Sequence, residues 1–223
     1  MTALKRNLRP AIVSMLVLTL AFGILYPLLI TGIGQLAFPG NSNGQQIHLD
    51  GKLVGSKEIG QQFTTVVDGA NGKPKLDVNG NPVTRPDPRY FQTRPSGTVP
   101  ADNAAASTFA NLGPNDVATR DAIQANVKAY LALNRPYDPG LTVAEVPVDA
   151  ADTSASGFDP DISPANAWIQ AHRIAAVRHL PLATVMGLIH RYTGGRGLGF
   201  VGDPAVNVMQ LNLALDRLGK GTR

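Results

Sequence analysis

Residues 11–38 read AIVSMLVLTLAFGILYPLLITGIGQLAF. From Pro10 to Leu49 there is no Asp, Glu, Lys or Arg, and Lys5, Arg6 and Arg9 stand just before the run. A bilayer core of roughly 30 Å is crossed by about 20 helical residues. The stretch is longer than that, so tilt or a bend is expected. Pro27 is the expected bend, because it has no N–H to return to the carbonyl of Gly23. A cleaved export signal would hold only about 7–15 apolar residues and end in a small-x-small site. Gln35-Leu36-Ala37 is no such site. The basic flank keeps the N-terminus cytoplasmic. The expected layout is a cytoplasmic segment 1–10, a transmembrane helix 11–38 and an extracytoplasmic domain 39–223, periplasmic in a bacterium with two membranes.

Within the span, Thr19, Gly23, Pro27 and Thr31 recur every four residues, with Gly34 a turn further on. Small residues on one helix face let backbones approach closely in lipid. These five positions are the candidate helix-packing interface, and they point to a subunit of a larger assembly.

The formal charge is +4. Lys5, Arg6 and Arg9 carry most of it, leaving 17 basic against 16 acidic residues elsewhere. A nucleic-acid partner is therefore not expected. Cysteine is absent, which excludes disulfides, thiolate metal sites and cysteine nucleophiles.

Beyond the span, Pro39–Gly44 reads as a polar linker. Gln46–Leu49 and Lys52–Val54 flank Asp50-Gly51, a hairpin signal. Residues 64–88 hold Asp68-Gly69, Asn71-Gly72 and Asn79-Gly80, then Pro82, Pro86 and Pro88. This is turn chemistry in series, expected as an exposed hairpin region. A helix is expected from Asp116, capped by Asn115, with Ile123, Val127, Tyr130 and Leu131 inward. Leu141–Val148 alternates and reads as a strand. Ser163-Pro164 starts a helix with Ala167, Trp168, Ala171, Ile174 and Ala175 on its apolar side. Another follows Leu180-Pro181 and stops at Gly194-Gly195. Asn207 caps the last, with Leu211, Leu215 and Leu218 as its stripe. Strands first, then helices, give an α+β class: one transmembrane helix followed by one mixed α/β domain.

Several motifs promise chemistry without its context. Gly197-Leu-Gly199-Phe-Val-Gly202 matches a dinucleotide fingerprint, which needs a strand before it and a helix directly after. Asp77-x-Asn79-x-Asn81 begins like a calcium loop, but the sixth position is Pro82 and the twelfth is Pro88. His48, His172, His179 and His190 form no H-E-x-x-H pair. Ser154 and Ser156 lack the flanking glycines of a nucleophile elbow. Asp152, Asp159 and Asp161 share that polar loop and could present acids to a cation path.

Taken in order, a series of blocks resembles one family. They are Arg9-Pro10, Tyr26-Pro27-Leu28, Ile59-Gly60-Gln61-Gln62-Phe63 and Tyr90-Phe91-Gln92-Thr93-Arg94-Pro95-Ser96. Asn111-Leu112-Gly113-Pro114, Ser154-Ala155-Ser156-Gly157 and Ile162-Ser163-Pro164-Ala165-Asn166-Ala167 follow. Val206-Asn207-Val208 and Leu211-Asn212-Leu213-Ala214-Leu215-Asp216 close the series. The chain is similar to the C subunit of the Kdp potassium-transporting P-type ATPase. Against that pattern, residues 64–88 are an insertion, and Ser107-Thr108-Phe109-Ala110 replaces a glycine-containing block.

The resemblance implies a non-catalytic accessory subunit of a bacterial inner-membrane potassium uptake pump. The implied partners are a channel-like potassium-selecting subunit, a phosphorylated P-type ATPase subunit and a very small membrane peptide. It also implies a role in assembly, and a chaperone-like rise in the ATP affinity of the ATPase subunit. ATP and Mg2+ then belong to that partner, with no cofactor held by this chain. The basic flank puts the folded domain on the side away from cytoplasmic ATP, so any such effect is expected to be indirect. Asp152, Asp159 and Asp161 are the candidate potassium-attracting loop. The rival expectations are an anchored hydrolase using Ser154 or Ser156, and a stand-alone binding module.

Overall fold

The structure, a computed structural model, describes residues 2–69, 72–98, 100–106 and 112–220. Two compact units form, residues 1–54 and residues 55–223. The expected Asn71-Gly72 turn, the 107–110 block and Asn111 fall wholly or partly outside the described residues.

In the first unit, α1 (Thr2–Leu18), a π-helical segment (Thr19–Leu25) and α2 (Tyr26–Ala37) follow one another without a break. Arg6–Ala37 is long and apolar enough to cross a membrane, and none of it is buried. Pro27 explains the middle segment. It cannot donate to the Gly23 carbonyl, and its ring crowds that carbonyl. The Tyr26 N–H donates instead to Ala21 O, five residues back, which is the bond of a π-helix. Where a bend was expected at Pro27, the helix has a seven-residue π segment just ahead of it.

Pro39–Gly44 is not an open linker. Pro39–Ser42 forms a helical turn, α3. Asn43 holds it: its Nδ2 donates to Pro39 O at 2.7 Å and to Gln35 Oε1 at 3.1 Å. The expected hairpin is present as β1 (Gln46–Leu49) and β2 (Lys52–Ser56). Asp50 and Gly51 have φ of 50° and 77°, the two left-handed positions of a type I′ turn.

In the second unit, β3 (Thr64–Val66) pairs antiparallel with β4 (Thr84–Pro86). Bridges at Asp68–Pro74 and Leu76–Pro82 prolong the pair into an outward ladder. At its tip the Asp77 carboxylate accepts the N–H groups of Asn79 and Asn81 at 2.9 and 2.8 Å. The calcium-like spacing is therefore a turn whose acid is occupied by backbone donors. Val78 is fully exposed there.

Helix α4 (Val117–Asn134) starts where expected, but Asp116 rather than Asn115 caps it, accepting from the Ala118 N–H at 2.7 Å. The strand expected at Leu141–Val148 is absent. A 3-10 turn (Val143–Glu145) and α5 (Val148–Ala151) stand there. Glu145 Oε2 accepts from the Thr142 N–H at 2.8 Å and its hydroxyl at 2.7 Å. This local box outcompetes extension, and Val143 and Val148 are exposed.

Three helices carry the core: α6 (Pro164–Arg178), α7 (Leu182–Tyr192) and α8 (Val208–Lys220). Ser163 and Asn207 cap the first and last as expected, accepting from the Asn166 and Gln210 N–H groups at 3.1 Å each. A small antiparallel sheet joins them, with β7 (Ala205–Asn207) between β5 (Asp161–Ile162) and β6 (Thr193–Gly194). Phe91, Ile162, Ala171, Ile174, Val185, Ile189, Val206, Leu211 and Leu215 fill the core. Trp168, expected inward on α6, is half exposed instead. The class is mixed α/β with one long apolar helix ahead of it.

Candidate functional site

The segment Tyr90–Gln92 is held by side chains where a strand would be held by a neighbour. A side-chain amide offers the donor and acceptor of a peptide unit. Asn212 of α8 accepts the Phe91 N–H and donates to the Phe91 carbonyl, both at 2.9 Å. Gln170 of α6 accepts the Gln92 N–H at 2.8 Å and donates to its carbonyl at 3.1 Å.

Arg173, fully buried, completes the clamp. Its Nε donates to Pro88 O at 3.1 Å and its Nη2 to Tyr90 O at 2.8 Å and Gln170 Oε1 at 2.9 Å. Its Nη1 donates to Asn134 Oδ1 at 2.6 Å. Every one of these acceptors is neutral, and burial pushes the guanidinium pKa down to about 10.

The Tyr90 ring stacks on Phe63 at 5.1 Å and lies under the Arg178 guanidinium at 4.6 Å. Asp216 accepts from both the Tyr90 hydroxyl and Arg178, at 3.2 and 2.9 Å. The blocks ending in Phe63, starting at Tyr90 and closing at Asp216 therefore meet in space.

Beside the clamp is a pocket of about 210 Å³ lined by Gln92, Arg94, Asn126, Tyr130, Asn166 and Gln170, among others. The Arg94 Nε is buried with no acceptor among the described residues. Burial raises the Tyr130 phenol above its ordinary pKa.

Of the three expected acids, the structure brings two together and adds others. Asp159 accepts from Arg94 Nη1 at 3.2 Å, and its other oxygen from the Asp161 N–H at 3.0 Å. Asp161 accepts from Asn207 Nδ2 at 2.9 Å, and Asp102 from Gln62 Nε2 at 2.7 Å. Asp152 stays exposed at the end of α5. Gly60 threads between these groups, its N–H donating to Phe158 O at 2.7 Å. A Cβ there would come within 2.8 Å of Asp159 O and 3.1 Å of Asp102 Oδ1, so only glycine fits.

Burial, with the nearby Asp159 charge, raises the Asp102 carboxyl above the ordinary carboxylate range. Burial first, then Asp159 and Glu58, raise Asp161 in the same way. A carboxyl raised in the folded state binds more protons there than in the unfolded chain. These two groups therefore add stability as pH falls through their folded pKa values and cost stability at neutral pH. Asp87 has the opposite sign, because its bond to Arg89 lowers it. We expect Asp102→Asn to melt at or above the wild-type temperature at pH 7. The difference in stability should also shift in favour of wild type as pH falls from roughly 7 to 4. A clear loss at pH 7 with an unchanged pH profile would contradict this.

Ser154 is buried, its hydroxyl 3.0 Å from that of Ser156 and its N–H donating to Pro95 O at 3.0 Å. The Ser96 hydroxyl donates to Gly157 O. Gly157 has φ 81°, and a side chain there would collide with Thr98. The serine loop is thus docked on residues 95–98 as a hydroxyl-bonded turn. His48, His179 and His190 are exposed and His172 half-buried. The described residues hold no cluster of three metal-ligating side chains. Gly197 and Val201 exchange two backbone bonds of 2.8 Å, making a tight turn. Strand β7 follows it, not the helix that a dinucleotide site needs.

The candidate packing positions lie along the span: Thr19 and Gly23 in the π segment, and Pro27, Thr31 and Gly34 in α2. Sequence reading missed the clamp. Its signal was present: Gln170 and Arg173 interrupt the apolar stripe of α6, and Asn212 that of α8.

A family model described as KdpC, the c chain of K+-transporting ATPase, matches residues 8–217. A relative from Methylococcus capsulatus, named Potassium-transporting ATPase KdpC subunit, is 46% identical over 213 residues, 95% of this chain and 98% of its own. One of the same name from Mycobacterium bovis is 42% identical over 215 residues, 96% of this chain and 100% of its own. A third, from Polaromonas naphthalenivorans, is 45% identical over 216 residues, 96% of each chain. The match covers the apolar span, the clamped segment and the helices that clamp it, so this chain belongs to the KdpC family, the c chains of potassium-transporting ATPases.

Proposed function

We propose that this chain is the non-catalytic accessory subunit of an ATP-driven potassium uptake pump in a bacterial inner membrane. The observation that carries it is the family match, which runs through both the span and the folded unit. The partners are a channel-like potassium-selecting subunit, a P-type ATPase subunit and a small membrane peptide. The helix docks through the side holding Thr19, Gly23, Pro27, Thr31 and Gly34. The folded unit lies outside the membrane, as the basic flank of Lys5, Arg6 and Arg9 requires, and the 64–88 ladder is an insertion on its surface. ATP and Mg2+ stay with the ATPase subunit, and any influence on ATP affinity is transmitted through subunit contacts. Purification in mild detergent through a tag on this chain tests the assignment. The channel-like and ATPase subunits are expected to come with it; their absence would remove it.

A second role is favoured by the gathering of Asp102, Asp159 and Asp161. Such a group, with Asp152 nearby in sequence, focuses a negative field that concentrates cations at an external mouth. Neutralising Asp152, Asp159 and Asp161 together is expected to raise the potassium concentration for half-maximal uptake about two- to tenfold at low ionic strength, with less effect at high salt. Unchanged uptake at low salt rejects this role.

A further inference from the structure

The π segment takes from the Phe22 carbonyl the donor that an α-helix would give it, near the middle of the apolar stretch. In an α-helix the Phe22 carbonyl would accept from the Tyr26 N–H. That N–H donates to Ala21 O instead. In the π register its partner would be residue 27, which is Pro27 and has no N–H. The carbonyl thus has no helix donor in either register. It lies at the middle of the Arg6–Ala37 stretch. The following residue is Gly23, where a Cβ would meet only Thr19 Cγ2, at 3.7 Å, so the helix surface beside Phe22 is open to a close neighbour. An unpaired carbonyl in hydrocarbon is costly, and spanning helices re-satisfy such groups through neighbouring helices.

We propose that the Phe22 carbonyl accepts a hydrogen bond from a side-chain hydroxyl or amide on a transmembrane helix of a partner subunit. This rests on the proposed place of the chain in a pump and names the contact that fixes the depth and rotation of its helix. A partner helix is the occupant that fits. The acceptor needs a fixed donor at the bilayer centre, where lipid tails offer none and water is scarce. The π segment is then a recognition element, one that presents an acceptor which a regular helix would consume internally. Proline supplies it by subtraction, and glycine lets a neighbouring helix come close.

Pro27→Ala, compared with Thr31→Ala on the same packing side, tests it. Pro27→Ala returns an N–H at residue 27, and the Phe22 carbonyl then has a helix donor in both registers. The change also removes a helix breaker, so the variant is expected to insert at least as well as wild type, checked by carbonate-resistant membrane association. Full-length tagged chain is purified in a series of detergents, and partner subunits are counted per tagged chain. The expected result is normal insertion with retention weakened about three- to thirtyfold, the span of measured interhelical side-chain bonds in lipid. Equal retention by Pro27→Ala and wild type would overturn the inference. Benzoylphenylalanine placed at residue 22 keeps the carbonyl and reports its neighbour in intact membranes. Adducts with a partner subunit support the inference. Adducts only with lipid, or only with a second copy of this chain, overturn it. Wild-type chain that purifies without any pump subunit would remove the functional assignment instead, and the residue 22 adduct still tells the two failures apart.

Discussion

Arg173→Leu is expected to unfold the second unit at a temperature at least about 10 °C below wild type, a loss of about 4 kcal/mol or more. The size follows from what is left behind. Four acceptors lose their donor together: Pro88 O, Tyr90 O, Asn134 Oδ1 and Gln170 Oε1. Leucine fills much of the volume but none of that bonding, and each buried orphan costs about 1–3 kcal/mol. Arg173→Lys keeps the charge and a fraction of the bonds, so it falls between the two. The measurement is thermal unfolding of the full chain in detergent, followed by near-ultraviolet circular dichroism. A melt of Arg173→Leu within about 3 °C of wild type would mean that the carbonyls find water at no cost.

Asn212→Leu is expected to cost about 3 kcal/mol, because both the N–H and the carbonyl of Phe91 are left unpaired in the core. Asn212→Asp should fare no better. It keeps an acceptor for the N–H but turns a carboxylate oxygen toward the Phe91 carbonyl. Amide hydrogen exchange gives a local readout: Phe91 and Gln92 should lose protection before the α6 and α7 amides do. The two clamps hold adjoining residues of one segment. The double variant Arg173→Leu with Asn212→Leu should therefore lose less than the two single losses combined. Full additivity would show that the two grips act independently.

The helical part of the fold was legible because its cues are local. Ser163-Pro164, Asn207 and the apolar spacing of α4, α6, α7 and α8 each lie within a few residues of the structure they specify. The errors came from local competition. Leu141–Val148 alternates well, but Thr142 and Glu145 close a box that alternation does not register. Asp116 displaced Asn115 as a cap because either residue suits the role. Pro27 announced an irregularity; that it widens the preceding residues into a π segment depends on how the backbone repairs itself.

The candidate site was legible only in part. Asp159 and Asp161 are close in sequence and were grouped, whereas Asp102 meets them around Gly60, from a distant part of the chain. The clamp was illegible for the same reason. Its bonds link Phe91 to Asn212 across 121 positions and Gln92 to Gln170 across 78.

Those separations set an order of events during synthesis. The Phe91 peptide groups find their partner only when residue 212 is present, so an emerging chain that has reached residue 200 can hold its central segment through Gln170 and Arg173 but not through Asn212. Completion of the second unit therefore waits for α8 to emerge. Until that moment Phe91 lacks the α8 half of its clamp, so copies cut short before residue 212 are expected to be degraded faster than the full chain.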